Sequence, residues 1–358
     1  MSKQQESKTE SEMLRDKAYY SKWYAYILGK NSEKRAIEIG KKEGWDFLEG
    51  GAEGLGRAIE GGRSPMELAK IVHDKGYDIW SFASKLSYYH VSTTNGAAVL
   101  SMRFAHPMIE ENVKYAHQKR PGSEFRLLDL GCGAGWLTEG VIKTVKESLP
   151  KNTKIHLRQE DFDALSTFSA ALISIDIMKK FKDVTIETYM NDMSKSHPKD
   201  KSEAHVFTGL LSMLPYLKLL QQEQTLKRLN NMNVLAGVVT GQVNGFEINT
   251  YLKTGYKKNA KFLEGLSLEK RSIFGWTGFP RSFGDMKRIL NTTAFVFGVG
   301  VPALKYHTGV HPNEKDVIQL YERCGWTVKD RKVFIPDGDP EASPEESKAI
   351  ALSIRKKI

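Results

Sequence analysis

Cysteine is almost absent. Cys132 and Cys324 are the only two thiols in 358 residues. Two are too few for a disulfide framework, and by themselves too few for a zinc site. Long apolar runs are missing as well. The longest, Ala294 to Leu304, has eleven residues, well short of the ~20 needed to span a bilayer. The polar start, MSKQQESKTESEM, contains no apolar signal core and is expected to form a disordered tail over residues 1–14. These absences describe a soluble chain of a reducing compartment, expected in the cytoplasm and with no membrane partner.

What is present is enough for a core. Apolar residues make up 40% of the chain and aromatics 10%, which argues against global disorder. The length suits one large domain with an appended one. Lysine and arginine number 53 against 43 acids, a net charge of +10. That balance is compatible with nucleic acid, an anionic surface or an acidic small molecule, and does not choose among them.

The pattern changes near residue 120. Before it, the segments are helical: an aromatic stretch from Arg15 to Gly29, a charged one from Asn31 to Glu43, and a glycine-rich stretch over 50–63 that is expected to be a linker or a broken helix. Ser64-Pro65-Met66-Glu67 has the composition of a capping box. It should open a helix with Leu68, Ile71 and Val72 on one face, stopping before Gly76. Further helices are expected from Asp78 to about Tyr89 and from Ala97 to Gln118. After residue 120, strand candidates (FRLLDL, KIHLRQED, DVTIETYMND, AHVFTGLL, VLAGVVTGQV) alternate with helical stretches at 136–149, 164–180 and 217–230. A helix from Glu314 to Cys324 and two more strands, WTVKDRKVFI and AIALSIRKK, follow. This spacing implies βαβ units and a parallel sheet.

The segment Leu127-Leu128-Asp129-Leu130-Gly131-Cys132-Gly133-Ala134-Gly135 lies between a strand pattern and a helix pattern. Alternate glycines let the backbone turn tightly and approach a ligand closely. The spacing is not the GxGxxG of dinucleotide-binding folds. A carboxylate at Asp129, two residues before the first glycine, would repel a pyrophosphate and suit a cationic group such as an ammonium.

LLDLGCGAG resembles the first motif of class I S-adenosylmethionine-dependent methyltransferases, and the resemblance extends over about residues 123–245, in pattern to the C-terminus. It implies a Rossmann-like, seven-stranded, mainly parallel sheet with helices on both faces. With the change of pattern near residue 120, the expected division is a helical N-terminal or lid region over 15–120, whose aromatic cluster closes over the cofactor or packs on the domain, and a methyltransferase domain over 121–358 with an insertion at about 245–305. The implied cofactor is S-adenosylmethionine. Asp129, Gly131, Gly133 and Gly135 would hold its methionine part. Asp161 would hold the ribose, with Glu160 as the competing acid, and Phe162 would pack on the adenine. Asp192 and Met193 fall where the family binds the adenine, and Leu211 at the end of the fourth strand. Cys132 fits the glycine loop by its small size.

The implied acceptor is O, N or C of a small metabolite, acidic ones included. Tyr20, Tyr24, Tyr216 and Tyr251 are candidates to line its pocket, and His307 or His311 to act as a general base. No metal site is expected. Ser212-Met213-Leu214-Pro215-Tyr216 shares only Pro-Tyr with the Asp/Asn-Pro-Pro-Tyr of base amino-methylating enzymes. The opposing reading is an RNA or protein methyltransferase. It draws on residues 253–288, where nine Lys/Arg and three acids interleave with aromatics. Two further alternatives are a cofactor-binding protein without methyl transfer and a reaction in which the bound sulfonium acts by electrostatics alone. A homodimer through the N-terminal helices is a further candidate partner state.

Overall fold

A computed structural model describes residues 32–77, 97–133, 135, 137–162, 164–201, 203–210, 219–243, 314–334 and 348–357. The tail, the aromatic stretch from Arg15 to Gly29, the helix expected from Asp78 and the 245–305 insertion lie outside the described residues.

Seven strands form one sheet: β1 (Glu124–Leu130), β2 (Lys154–Asp161), β3 (Val184–Met190), β4 (Val206–Leu210), β5 (Ala236–Val243), β6 (Trp326–Phe334) and β7 (Lys348–Lys356). Their order is β3-β2-β1-β4-β5-β7-β6. β1 to β5 pair in parallel. β7 runs antiparallel to both of its neighbours, so the sheet is mixed, with one strand reversed. The order reverses direction between β1 and β4, and the crevice beyond strand ends at such a point is where open α/β sheets bind ligands.

Alternation along the strands sorts two cores. Phe125 and Leu127 of β1 face a layer made by α4 (Ala97–Lys119), α5 (Thr138–Ser148) and α6 (Ala164–Lys180). Leu128 and Leu130, one residue out of phase, face α7 (Leu219–Asn231) and α8 (Glu314–Arg323). Strands covered on both faces read as near-continuous apolar runs, which is why FRLLDL and VFTGL contain so little polar sequence. α4 is fixed to the sheet by a buried polar contact as well. Its Asn112 amide donates to the Gly237 carbonyl of β5 at 2.9 Å and to Ser353 of β7 at 3.0 Å.

Among the described residues, three α-helices precede α4: α1 (Ser32–Glu43), α2 (Gly51–Glu60) and α3 (Pro65–Asp74). Phe47, Leu55, Ile59, Leu68 and Val72 pack against Ala164, Phe168, Ala171 and Leu172 of α6. Here the structure corrects two expectations. The glycine-rich stretch contains a regular helix, because Leu55 and Ile59 gain burial against neighbouring helices that outweighs the glycines' low propensity. Gly54 also permits a close approach, since a Cβ there would lie 3.2 Å from the Phe47 carbonyl oxygen. Ile71 does not share the buried face of Leu68 and Val72 and is exposed. The Ser64 cap is present, with its side chain accepting from the Glu67 amide at 3.4 Å, and Gly76 ends the segment at φ +73°.

Candidate functional site

The glycine loop joins β1 to α5 at the reversal point. Gly131, Gly133 and Gly135 have φ of +66°, +55° and +80°, a region that side chains with a Cβ rarely enter. Gly135 is confined sterically as well, because a Cβ there would meet the Ala170 Cα of α6 at 3.0 Å. α5 begins without a side-chain cap, so its first amides are left to the loop and to whatever lies over it.

The last three residues of β2 hold this loop, each in a different way. Gln159 donates to Thr138 at the start of α5 at 2.5 Å and accepts from Ser174 of α6 at 2.8 Å. The Glu160 main-chain carbonyl accepts from the amides of Gly131 at 2.7 Å and Cys132 at 3.1 Å. The Asp161 carboxylate accepts from the Gly133 amide at 2.9 Å. The β2 tip therefore templates the loop from Gly131 to the first turn of α5.

Three acids surround the loop, and their surroundings differ. Asp129 is 6% exposed, and the Thr208 hydroxyl, its register partner on β4, donates to it at 2.7 Å. Among the described residues that is its only hydrogen bond. Burial pushes its carboxyl up to about 6, against a small lowering from Thr208. Asp161 is buried beside the loop. Glu160, fully buried, turns its side chain the other way. Arg228 of α7 forks onto both its oxygens at 2.8 Å, Arg158 approaches at 3.0 Å and Asn191 donates at 2.9 Å. Arg228 and Arg158 also bind Asp200. Burial alone would raise Asp200, but the Arg228 hydrogen bonds, the His197 amide and Arg158 pull it down to about 2. Glu160, His197 and Asp200 lie close enough together to resemble a metal-ligand set. Two guanidinium groups already neutralise its carboxylates, so the cluster is an ion-pair network, and a cation would have to displace them.

Phe162 is half-buried just beyond Asp161, and the Asn191 amide donates to the Asp161 carbonyl at 2.7 Å. The Asp192 carboxylate accepts from the Ser194 amide at 2.9 Å and hydroxyl at 2.7 Å, a local turn of the Asx kind. Met193 buries its side chain in the α7/α8 core. The Cys132 thiol is held well above its ordinary range, first by burial and then by the charges of Asp161, Asp129 and Glu160. It is therefore a neutral thiol, unsuited to act as a nucleophile. Leu211, Tyr20, Tyr24, Tyr216, Tyr251, His307 and His311 lie outside the described residues.

Thr208, Gln159, Arg158 and Arg228 were not singled out from the sequence. For Arg228 the available signal is weak. It is a charged residue adjoining the buried stripe Gln222, Thr225, Leu226 and Leu229 of α7, and its partner Glu160 is 68 residues away.

No protein-family model matches the chain, and no curated protein matches it significantly. Solved structures similar to it include the small RNA methyltransferase HEN1, at 16% identity and a TM-score of 0.38, covering 69% of this chain and 25% of that one. A second is the mitomycin 7-O-methyltransferase MmcR, at 12% identity and a TM-score of 0.34, covering 86% and 71%. A third is PKMT2 from Rickettsia typhi in complex with AdoHcy, at 11% identity and a TM-score of 0.40, covering 70% and 53%. The chain thus spans a quarter of the HEN1 chain. Likenesses at this level carry no argument about activity, and the functional reading rests on the site. No helix among the described residues is long and apolar enough to cross a membrane.

Proposed function

We propose that this chain binds S-adenosylmethionine at the glycine loop and transfers its methyl group to a small metabolite, acidic ones included. The observation that carries the reading is Asp129. A buried carboxylate with one hydroxyl partner, at the reversal point of the sheet, is under-supplied with positive charge. The ammonium of a bound amino-acid moiety would supply it, whereas a pyrophosphate would be repelled. The donor set fits the rest of the ligand. Three glycines leave room for close approach, and Asp161 offers a carboxylate beside the loop for ribose hydroxyls. Glu160 is committed to arginines, which favours Asp161 over it in that role. Asp192 and Phe162, beyond the tips of β3 and β2, retain the adenine side in this reading, with Asp192 also serving its turn.

The bound cofactor would supply both the methyl group and its own leaving group. The chain's part is to bind, to orient the acceptor in line and to keep water out, and no covalent nucleophile is required of Cys132. The preference for a small acceptor rests on the sequence of 212–216, which shares only Pro-Tyr with base amino-methylating enzymes.

Calorimetric titration with S-adenosylmethionine and S-adenosylhomocysteine tests the cofactor. Binding near about micromolar is expected, weakened at least ~tenfold in Asp161→Ala and in Asp129→Asn. Absence of binding by both ligands would overturn the reading. For the acceptor, S-adenosylhomocysteine release is measured with pools of small acids and with RNA. Release with RNA alone, falling steeply with salt, would overturn the small-molecule assignment and keep the cofactor.

A further inference from the structure

From the Arg228 contacts we infer that this residue is a positioning residue for the glycine loop, acting through Glu160 from the opposite face of the sheet. Arg228 lies near the end of α7, which packs on the face of Leu128 and Leu130. Asp129 alternates with Leu128 and Leu130 and so belongs to the other face, that of Leu127. Arg228 grips both oxygens of Glu160 at 2.8 Å. It also grips Asp200 through Nε at 2.7 Å and the Met193 carbonyl at 3.2 Å. A further bond runs to the second Asp200 oxygen at 2.8 Å; the guanidinium is planar, and these five acceptor atoms hold it in one orientation. Its protonated state is favoured by Asp200 and Glu160 over the opposing effect of burial.

The Glu160 side chain is thereby clamped at one end, and its main chain acts at the other. Its carbonyl takes two loop amides, Gly131 and Cys132. The peptide that follows carries Asp161, whose carboxylate takes the Gly133 amide. Rotation of the Glu160 side chain would disturb the peptide that aims all three contacts. Gly131 and Gly133, both at positive φ, have no side chains of their own to anchor them. Asn191 joins the same clamp through Glu160 and ties its main chain to the Asp161 carbonyl. The tips of β2 and β3 and the loop thus share one charged anchor. Arg158 supports it from Glu160's own strand and does not reach from another element as Arg228 does.

The consequence for binding rests on the proposed cofactor site; the consequence for the loop does not. The experiment separates the two by recording amide spectra and hydrogen exchange of full-length wild type, Arg228→Met and Arg228→Lys, and by titrating each with S-adenosylhomocysteine. In Arg228→Met, the Gly131, Cys132 and Gly133 amide resonances should shift. Their exchange should quicken about tenfold or more relative to β5 and β7 amides, which report global stability. Cofactor affinity should fall about tenfold with it, as expected when a supporting contact is lost. Arg228→Lys keeps the charge without the fork and should give a smaller change of the same kind. It also provides the reading if Arg228→Met does not fold. Loop amides that move only in proportion to those of β5 and β7, in whichever variant folds, would overturn the inference. If wild type binds no cofactor while the loop amides respond selectively, the positioning role stands and the cofactor reading falls.

Discussion

Leu130 of β1 faces Glu160 of β2 across one register step, and Asp129 precedes Leu130. Asp129 and Glu160 are therefore two buried acids at the ends of neighbouring strands, one register step apart, on opposite faces of the sheet and beside the same loop. Glu160 has two guanidinium groups and an amide. Asp129 has one hydroxyl. A buried charge is tolerated when its partners fill its lone pairs, and losing such a partner is costly. A buried charge left short of partners instead drifts toward its neutral form and is ready to accept a cation. The difference separates an acid whose partners the fold supplies from one that the proposed cofactor would partner, and burial alone would not have told them apart.

The largest loss is expected at Arg228. Arg228→Met leaves the buried Glu160 with Arg158 and Asn191, and Asp200 with Arg158 and the His197 amide, and should cost about 3–5 kcal/mol in urea unfolding. A loss below ~1 kcal/mol would mean that water already serves these carboxylates.

Acid titration sharpens the contrast, because the two halves have opposite signs. Asp200, held at about 2, binds its proton less readily folded than unfolded. It contributes up to ~2 kcal/mol above its ordinary range, and this is lost as pH falls from about 4 through 2. Asp200→Asn should flatten that acid limb in a stability profile.

Asp129, raised from 3.8 to about 6, keeps in the fold a proton that the unfolded chain releases. Stability therefore falls as pH rises from about 4 to 6 and stays lower above it. Without ligand, Asp129→Asn should match wild type near pH 4 and exceed it by ~1–2 kcal/mol at pH 8, read from thermal or urea unfolding. A variant less stable than wild type at pH 8 would mean that the carboxylate already has a cationic partner. The same group should make wild-type affinity for S-adenosylhomocysteine fall between pH 7 and pH 5, and Asp129→Asn should remove that dependence.

The smallest expected effect is at Cys132. Its thiol is neutral and donates only to the Gly133 carbonyl at 3.5 Å. Cys132→Ala should change stability by less than ~1 kcal/mol and leave cofactor affinity within about twofold by calorimetry. A larger loss would assign the thiol a part in binding.

Much of the fold is legible locally. The alternation of strands and helices after residue 120 follows from periodicities of two and 3.6, which are properties of short windows. The helix expected over 164–180 is observed as Ala164–Lys180. The glycine-rich α2 was not legible, since its stability comes from packing of Leu55 and Ile59 against other helices. Ile71 shows the same limit, because helical spacing names a face but not what covers it. The acids of the site were legible as candidates, while their partners were not. Thr208 lies 79 residues from Asp129, and only the pairing of β1 with β4 brings them together.

The order of residues placed Gly131, Gly133 and Gly135 after β1 and so permitted the left-handed turns found there, because only residues without a Cβ enter that region freely. It also determined that Gln159 and Asp161 face one side of the sheet and Arg158 and Glu160 the other, because strand side chains alternate. The tertiary structure alone decided what each side would meet. α7 brought Arg228 to Glu160 and left Asp129 with Thr208. Electrostatic satisfaction depends on distances between atoms far apart in the chain, and no local pattern encodes them.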